Sequence, residues 1–214
     1  KNILHVELPL EIVASQARVE PARLAAIISR GRAALFAARQ KRVAPGLDDK
    51  ILTSWNGLML TAFADAARIL GREDYRQVAV AAANFLLSRL RDLHSGRLLR
   101  TYKDGRAKLN AYLEDYAMLA EGLLALYQAT FELRWLQEAQ ALADLMLAHF
   151  WDADKGGFFS TSDDHEALIA RPKEVVDNAM PSANASAASV LLTLGKLLGN
   201  EMYERHAVAI LQLL

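Results

Sequence analysis

The chain has no cysteine among its 214 residues, which excludes disulfides, thiolate metal sites and a cysteine nucleophile. Proline and glycine are scarce, at 5 and 11 residues, which argues against a disordered or fibrous chain. Neither sign of charge is in excess, since 25 basic residues balance 25 acidic ones. Without a net field, neither nucleic acid nor an anionic membrane is expected as a partner. Long hydrophobic runs are also missing, because no segment reaches the ~18 uninterrupted apolar residues of a bilayer-spanning helix. The first residues show no charged–apolar–small cleavage pattern, and the first of them is Lys1 rather than methionine. The expectation is a cytoplasmic protein represented by a fragment of a longer chain.

Apolar residues are abundant. They make up 53% of the chain, rich in Ala and Leu, enough to bury a sizeable core. Apolar positions recur at three- and four-residue spacing in seven stretches, predicting helices over Pro21–Lys41, Thr53–Leu70, Glu73–Leu90, Tyr112–Thr130, Trp135–Phe150, Ser182–Leu198 and Glu201–Leu214. Pro21 suits a first helical turn, and Gly71 and Gly199 suit helix ends. The basic run Arg39-Gln40-Lys41-Arg42 falls where cations complement the negative end of a helix.

These helices repeat. Ile69-Leu70-Gly71-Arg72-Glu73-Asp74-Tyr75 resembles Leu197-Leu198-Gly199-Asn200-Glu201-Met202-Tyr203, and Ala129-Thr130-Phe131-Glu132-Leu133-Arg134-Trp135 takes the same place between them. The first helix of each pair is rich in small residues, as suits a helix surrounded by neighbours. The second carries more charge on one side, as suits an outer one. Two connecting regions, Gly96–Tyr102 with the turn Lys103-Asp104-Gly105, and Gly156–Thr161 with Ala167-Leu168-Ile169, read as small β-hairpins or extended loops. The fold expected is all-α, a partial (α/α)6 toroid of helical hairpins with short β-hairpin insertions, with residues 1–214 forming one toroid-domain fragment.

One stretch combines unusual chemistry. Leu47-Asp48-Asp49-Lys50-Ile51-Leu52-Thr53-Ser54-Trp55-Asn56-Gly57-Leu58-Met59 packs acids, hydroxyls, a tryptophan and an amide into the entrance of an apolar helix. In the repeat, Trp55-Asn56 falls opposite Asp115-Tyr116 and Ala183-Asn184, so three helix entrances are expected at one rim. Unpaired N–H groups and a partial positive charge at helix N-termini suit oxygen-rich ligands. The candidate acid/base residues are Asp49, Glu114, Asp115 and Asp177. Candidate ligand-binding residues are Asp48, Trp55, Asn56, Tyr112, Tyr116, Lys173, Glu174, Asn178 and Asn184. Acids, amides and aromatic rings converging on a cavity fit carbohydrate chemistry, whereas the same groups read singly are helix caps, turn caps and core packing. No histidine pair stands at metal-ligand spacing and no phosphate or dinucleotide fingerprint occurs, so no metal and no cofactor are expected.

Four motifs in order resemble those of the YyaL-type, spermatogenesis-associated thioredoxin-domain-containing family. They are the Leu47–Met59 stretch, Tyr112-Leu113-Glu114-Asp115-Tyr116-Ala117, Phe150-Trp151-Asp152 through Gly156-Gly157-Phe158-Phe159, and Arg171-Pro172-Lys173-Glu174 through Asp177-Asn178-Ala179-Met180-Pro181-Ser182-Ala183-Asn184. The resemblance implies a thioredoxin-like domain upstream, followed by a toroid related to N-acylglucosamine 2-epimerases and six-hairpin glycosidases, with outer hairpins absent from this chain. It also implies a glycosidase-like or epimerase-like domain that binds or processes a carbohydrate-like small molecule. The histidines associated with the epimerases have no counterpart at an inner-helix entrance here. The alternative expectation is a non-catalytic interaction or scaffold module for the upstream domain, and a further one is self-association through exposed inner helices.

Overall fold

A computed structural model describes residues 7–166 and 169–213. Where the sequence suggests one toroid fragment, the chain gathers into two compact units, Lys1–Asp48 and Asp49–Leu214.

The first unit holds α1 (Leu10–Ala17) and α2 (Pro21–Gln40). α2 starts where expected: Pro21 occupies its first turn, and the Glu20 carboxylate accepts the Arg23 N–H at 3.0 Å. α1 was not foreseen. It has eight residues, ends on Arg18 in the left-handed conformation (φ 53°) and buries only Ala14, which is too little for a periodic signal.

The second unit contains three helical hairpins, α3 (Thr53–Leu70) with α4 (Glu73–Arg89), α5 (Leu113–Thr130) with α6 (Leu133–His149), and α7 (Ala183–Leu198) with α8 (Glu201–Leu211). Six of the seven helices expected from periodicity are these. Gly71 and Gly199 close α3 and α7 at φ 64° and 63°. Phe131 makes the equivalent turn after α5 at φ 55°, a conformation that strains a residue with a side chain.

Within this unit α3, α5 and α7 run parallel. Ser54 meets Asp115 and Gly57 meets Met118, so the contacts advance along α3 and α5 together; Leu113 and Asn184, at the starts of α5 and α7, bond Ser160 and Phe158 of the same connector, and Glu121 meets Ser186 further along. α4, α6 and α8 each pack behind their own partner. α5 is the centre of the core, burying twelve of its eighteen residues. Its crossing with α3 is tight because neither helix carries a side chain there. A Cβ on Gly57 would lie 2.6 Å from the Met118 carbonyl carbon, and one on Gly122 would lie 2.8 Å from the Gly57 oxygen.

The first connector folds as expected into a hairpin, β2 (Leu99–Lys103) and β3 (Arg106–Asn110). Asp104 and Gly105, at φ 50° and 76°, form the tight turn that Asp-Gly favours. A two-residue strand unforeseen in the sequence, β1 (Ile51–Leu52), adds to it, with Ile51 opposite Tyr102. The second connector takes the extended-loop form, held by a single bridge between Trp151 and Phe158, and Ala167 and Leu168 lie outside the described residues.

The two connectors share a turn that the helical repeat did not suggest. Asp92 N–H donates to Arg97 O at 2.8 Å and Gly96 N–H to Asp92 O at 2.9 Å; Asp152 and Gly156 repeat both bonds at 2.9 Å. Each aspartate also caps its own turn through Oδ1, accepting N–H bonds from Ser95 and from Asp154.

Candidate functional site at the inner-helix entrances

Asp115 stands in the first turn of α5 and joins two entrances. Its Oδ2 accepts the Tyr112 N–H at 2.9 Å, closing the start of α5, and its Oδ1 accepts the Ser54 N–H at 2.9 Å, tying down the start of α3. Arg100, on β2, donates to Asp115 Oδ2 at 3.1 Å and to Glu114 Oε1 at 2.7 Å, while its guanidinium lies 4.5 Å from the Tyr112 ring. Asp115 has no exposed side-chain surface, and burial pushes its carboxyl up to about 6 even though Arg100 and the two N–H donors favour its charged form. Asp115 is therefore walled off from solvent and holds the starts of α3 and α5 in place. Glu114, with 16% of its side chain exposed, is the acid of this cluster that solvent reaches.

Tyr116 is also enclosed. Its hydroxyl accepts the Leu98 N–H at 2.9 Å and the Arg97 Nε–H at 3.1 Å. Arg97 grips Asp164 with two bonds of 2.7 and 2.9 Å, holding that carboxyl down to about 2. In the third hairpin Asn184 plays the part of Tyr116: its Oδ1 accepts the Phe158 N–H at 2.8 Å, and its Nδ2 donates to Phe158 O and Glu174 O. Residues 98 and 158 follow the two equivalent turns, so each entrance residue braces the connector that precedes its own helix. Asn56, at the equivalent place in α3, donates to Leu52 O at 2.8 Å.

The remaining candidates lie apart from this cluster. Asp48 is exposed at the end of the first unit. Asp49 pairs with Lys103 at 2.5 Å beside the sheet, and that bond lowers its pKa. Trp55 is 58% exposed, with Met59 one turn further along the same exposed face of α3. Lys173 bonds Asp152 at 2.6 Å and Gly156 O at 2.5 Å, stapling its segment to the second turn and holding the Asp152 carboxyl below its usual range. Asp177 accepts the Ser182 N–H at 2.8 Å, the Glu174 carbonyl accepts the Ser182 hydroxyl, and Asn178 is exposed on the same segment.

The sequence reading missed three groups. Arg97 and Arg100 come from a connector rather than a helix, so the helical repeat could not align them. Glu121 follows Glu114 by seven residues, about two helical turns, on the same face of α5, a signal present in the sequence. Burial raises the pKa of its carboxyl, with Ser186 nearby opposing that shift and the charge of Asp65 adding to it. Among the described residues, His149, Asp163 and Asp164 form the one group of three whose ligand atoms fall within 4.8 Å, but both Asp164 oxygens are held by Arg97, which already supplies positive charge there. No helix among the described residues is long and apolar enough to cross a membrane.

Three parallel inner helices backed by three outer ones define part of an α/α toroid, and solved structures of that class match it. Cellobiose 2-epimerase from Bacillus thermoamylovorans superposes with a TM-score of 0.66 at 12% identity, over 77% of this chain and 44% of the other. An α-1,6-mannanase of Salegentibacter sp., an inactive variant with two consecutive aspartates replaced by asparagine and in complex with α-1,6-mannotriose, gives 0.61 at 16% identity, over 75% and 46%. At these identities the likeness is one of fold. No family model matches the chain. By sequence it is similar to spermatogenesis-associated protein 20, being 35% identical to the human and 37% to the rat protein over 99% of its length. It spans 28% of the length of those relatives.

Proposed function

We propose that this segment is the carbohydrate-handling part of a larger protein, with Glu114 as the acid/base residue at the inner-helix entrance and Asp115 and Arg100 as the groups that position it. The observation that carries this reading is the consecutive acid pair in the first turn of α5, clamped by one guanidinium. In a protein of the same fold, replacement of two consecutive aspartates accompanies inactivity. A glutamate fixed by Arg100 yet reached by solvent can exchange a proton with a sugar oxygen, and a buried aspartate beside it can hold the clamp without touching the ligand. The test is a panel of mannose, cellobiose and α-1,6-mannotriose incubated with the complete protein and with Glu114→Gln, with binding followed by saturation-transfer NMR and turnover by the anomeric proton signals. The account expects binding by the wild type and loss of turnover in Glu114→Gln. Identical behaviour of the two proteins would remove Glu114 from the role.

A second reading, an interaction module for an upstream thioredoxin-like domain, is favoured by a different observation. Asp115, Asn184, Lys173 and Asp177 all bond main-chain groups, and Trp55 and Met59 leave an apolar pair exposed on α3. It predicts that no sugar in the panel binds and that entrance substitutions change stability alone.

A further inference from the structure

Each inner helix carries one polar stripe along an otherwise apolar body. On α5 it is Glu114, Glu121 and Gln128, spaced by seven; on α3 it includes Thr61 and Asp65, and on α7 Ser189 and Thr193. Apart from the entrance acid Glu114, these residues line a single groove of about 220 Å³ between the three helices. The groove is wet rather than part of the dry core: Gln128 and Ser189 are exposed and Thr61, Asp65, Glu121 and Thr193 partly so, and all of them line the same depression.

We propose that this groove is a second ligand subsite, taking a neutral, hydroxyl-bearing sugar unit that lies deeper along the helices than the entrance acid. The inference rests on the carbohydrate reading above and extends it from one sugar unit to a chain of them. The acids Asp65 and Glu121 both face the groove and Arg68 is already bonded to Asp65 at 3.2 Å, so an anion meets net repulsion there. The Thr61 and Thr193 hydroxyls donate to Gly57 O and Ser189 O at 3.3 and 2.9 Å, leaving their oxygens and the carboxyls as acceptors, while the Gln128 amide and the Ser189 hydroxyl can donate, which together is what sugar hydroxyls require. The volume is below the roughly 300–1,000 Å³ of sites for drug-sized ligands, and suits a single ring. Seven residues separate Glu114 from Glu121, a rise of about 10 Å, so a ligand touching both must span more than one sugar unit.

The test compares methyl α-mannoside with α-1,6-mannotriose by calorimetric titration of the complete protein, beside Gln128→Ala, Thr193→Val and Glu114→Gln. The expected result is a trisaccharide about tenfold tighter than the monosaccharide, with Gln128→Ala and Thr193→Val erasing that ratio and leaving monosaccharide affinity unchanged. Glu114→Gln should weaken both ligands. If the groove variants leave the ratio intact, the second subsite is overturned while the entrance reading stands. If neither sugar binds the wild type, the entrance reading falls and this inference falls with it.

Discussion

Asp115 shows how much one side chain can fix. Three donors from α3, α5 and β2 converge on it, and it has no exposed surface. Replacing it with asparagine puts an N–H₂ where a donor must be accepted, a mismatch costing about 1–3 kcal/mol. The cost varies with pH. Burial lifts the folded carboxyl to about 6, above the ordinary aspartate range, so the folded state binds the proton more tightly. Its stabilising contribution is complete at low pH and is lost as the pH rises through the folded pKa. The advantage of the wild type over Asp115→Asn should therefore be larger at acid than at neutral pH, measured by urea denaturation; a gap independent of pH would contradict this. That Glu114 and Asp115 sit at a helix entrance was legible in the sequence, because their place in the repeat is a matter of spacing. That one is buried and the other reached by solvent was not, because Arg100, which clamps both acids, lies outside the helical repeat and is brought in by β2.

At the level of elements, the α3–α5 crossing depends on two glycines. Gly57 belongs to the motif that stands out in the sequence, yet its reason lies in the partner backbone 2.6 Å from where its Cβ would be. Gly57→Ala forces the helices apart and should cost about 1–3 kcal/mol, as overpacked cores do; an unchanged thermal midpoint would show that the crossing is looser. The turn after α5 gives a prediction of opposite sign. Phe131 is 80% exposed in the left-handed conformation that Gly71 and Gly199 adopt in the sister turns. Phe131→Gly should stabilise by about 1 kcal/mol, read from the same denaturation curves. Helix boundaries were legible to within about two residues for most elements because apolar periodicity and glycine stops report them directly. α1 and β1 were not, since eight residues with one buried alanine and a two-residue strand carry no period to read.

At the scale of the molecule, the repeat does more than build a scaffold. It brings three helix starts into parallel register, braces two of them through Tyr116 and Asn184, and turns one polar stripe of each inner helix toward a common groove. The toroid class was legible because the hairpin repeat is written in spacing, and the solved neighbours share it. The groove was not legible in the sequence, because Glu121 and Gln128 look like isolated polar residues until α3 and α7 stand beside α5. If a sugar meets this polar surface, beginning at Glu114, its contacts can be seen directly in a map of side-chain chemical shifts of the complete, isotopically labelled protein as α-1,6-mannotriose is added. Glu114, Glu121, Gln128 and Thr193 should then move together and saturably. Shifts confined to the outer helices α4, α6 and α8, or none at all, would contradict it.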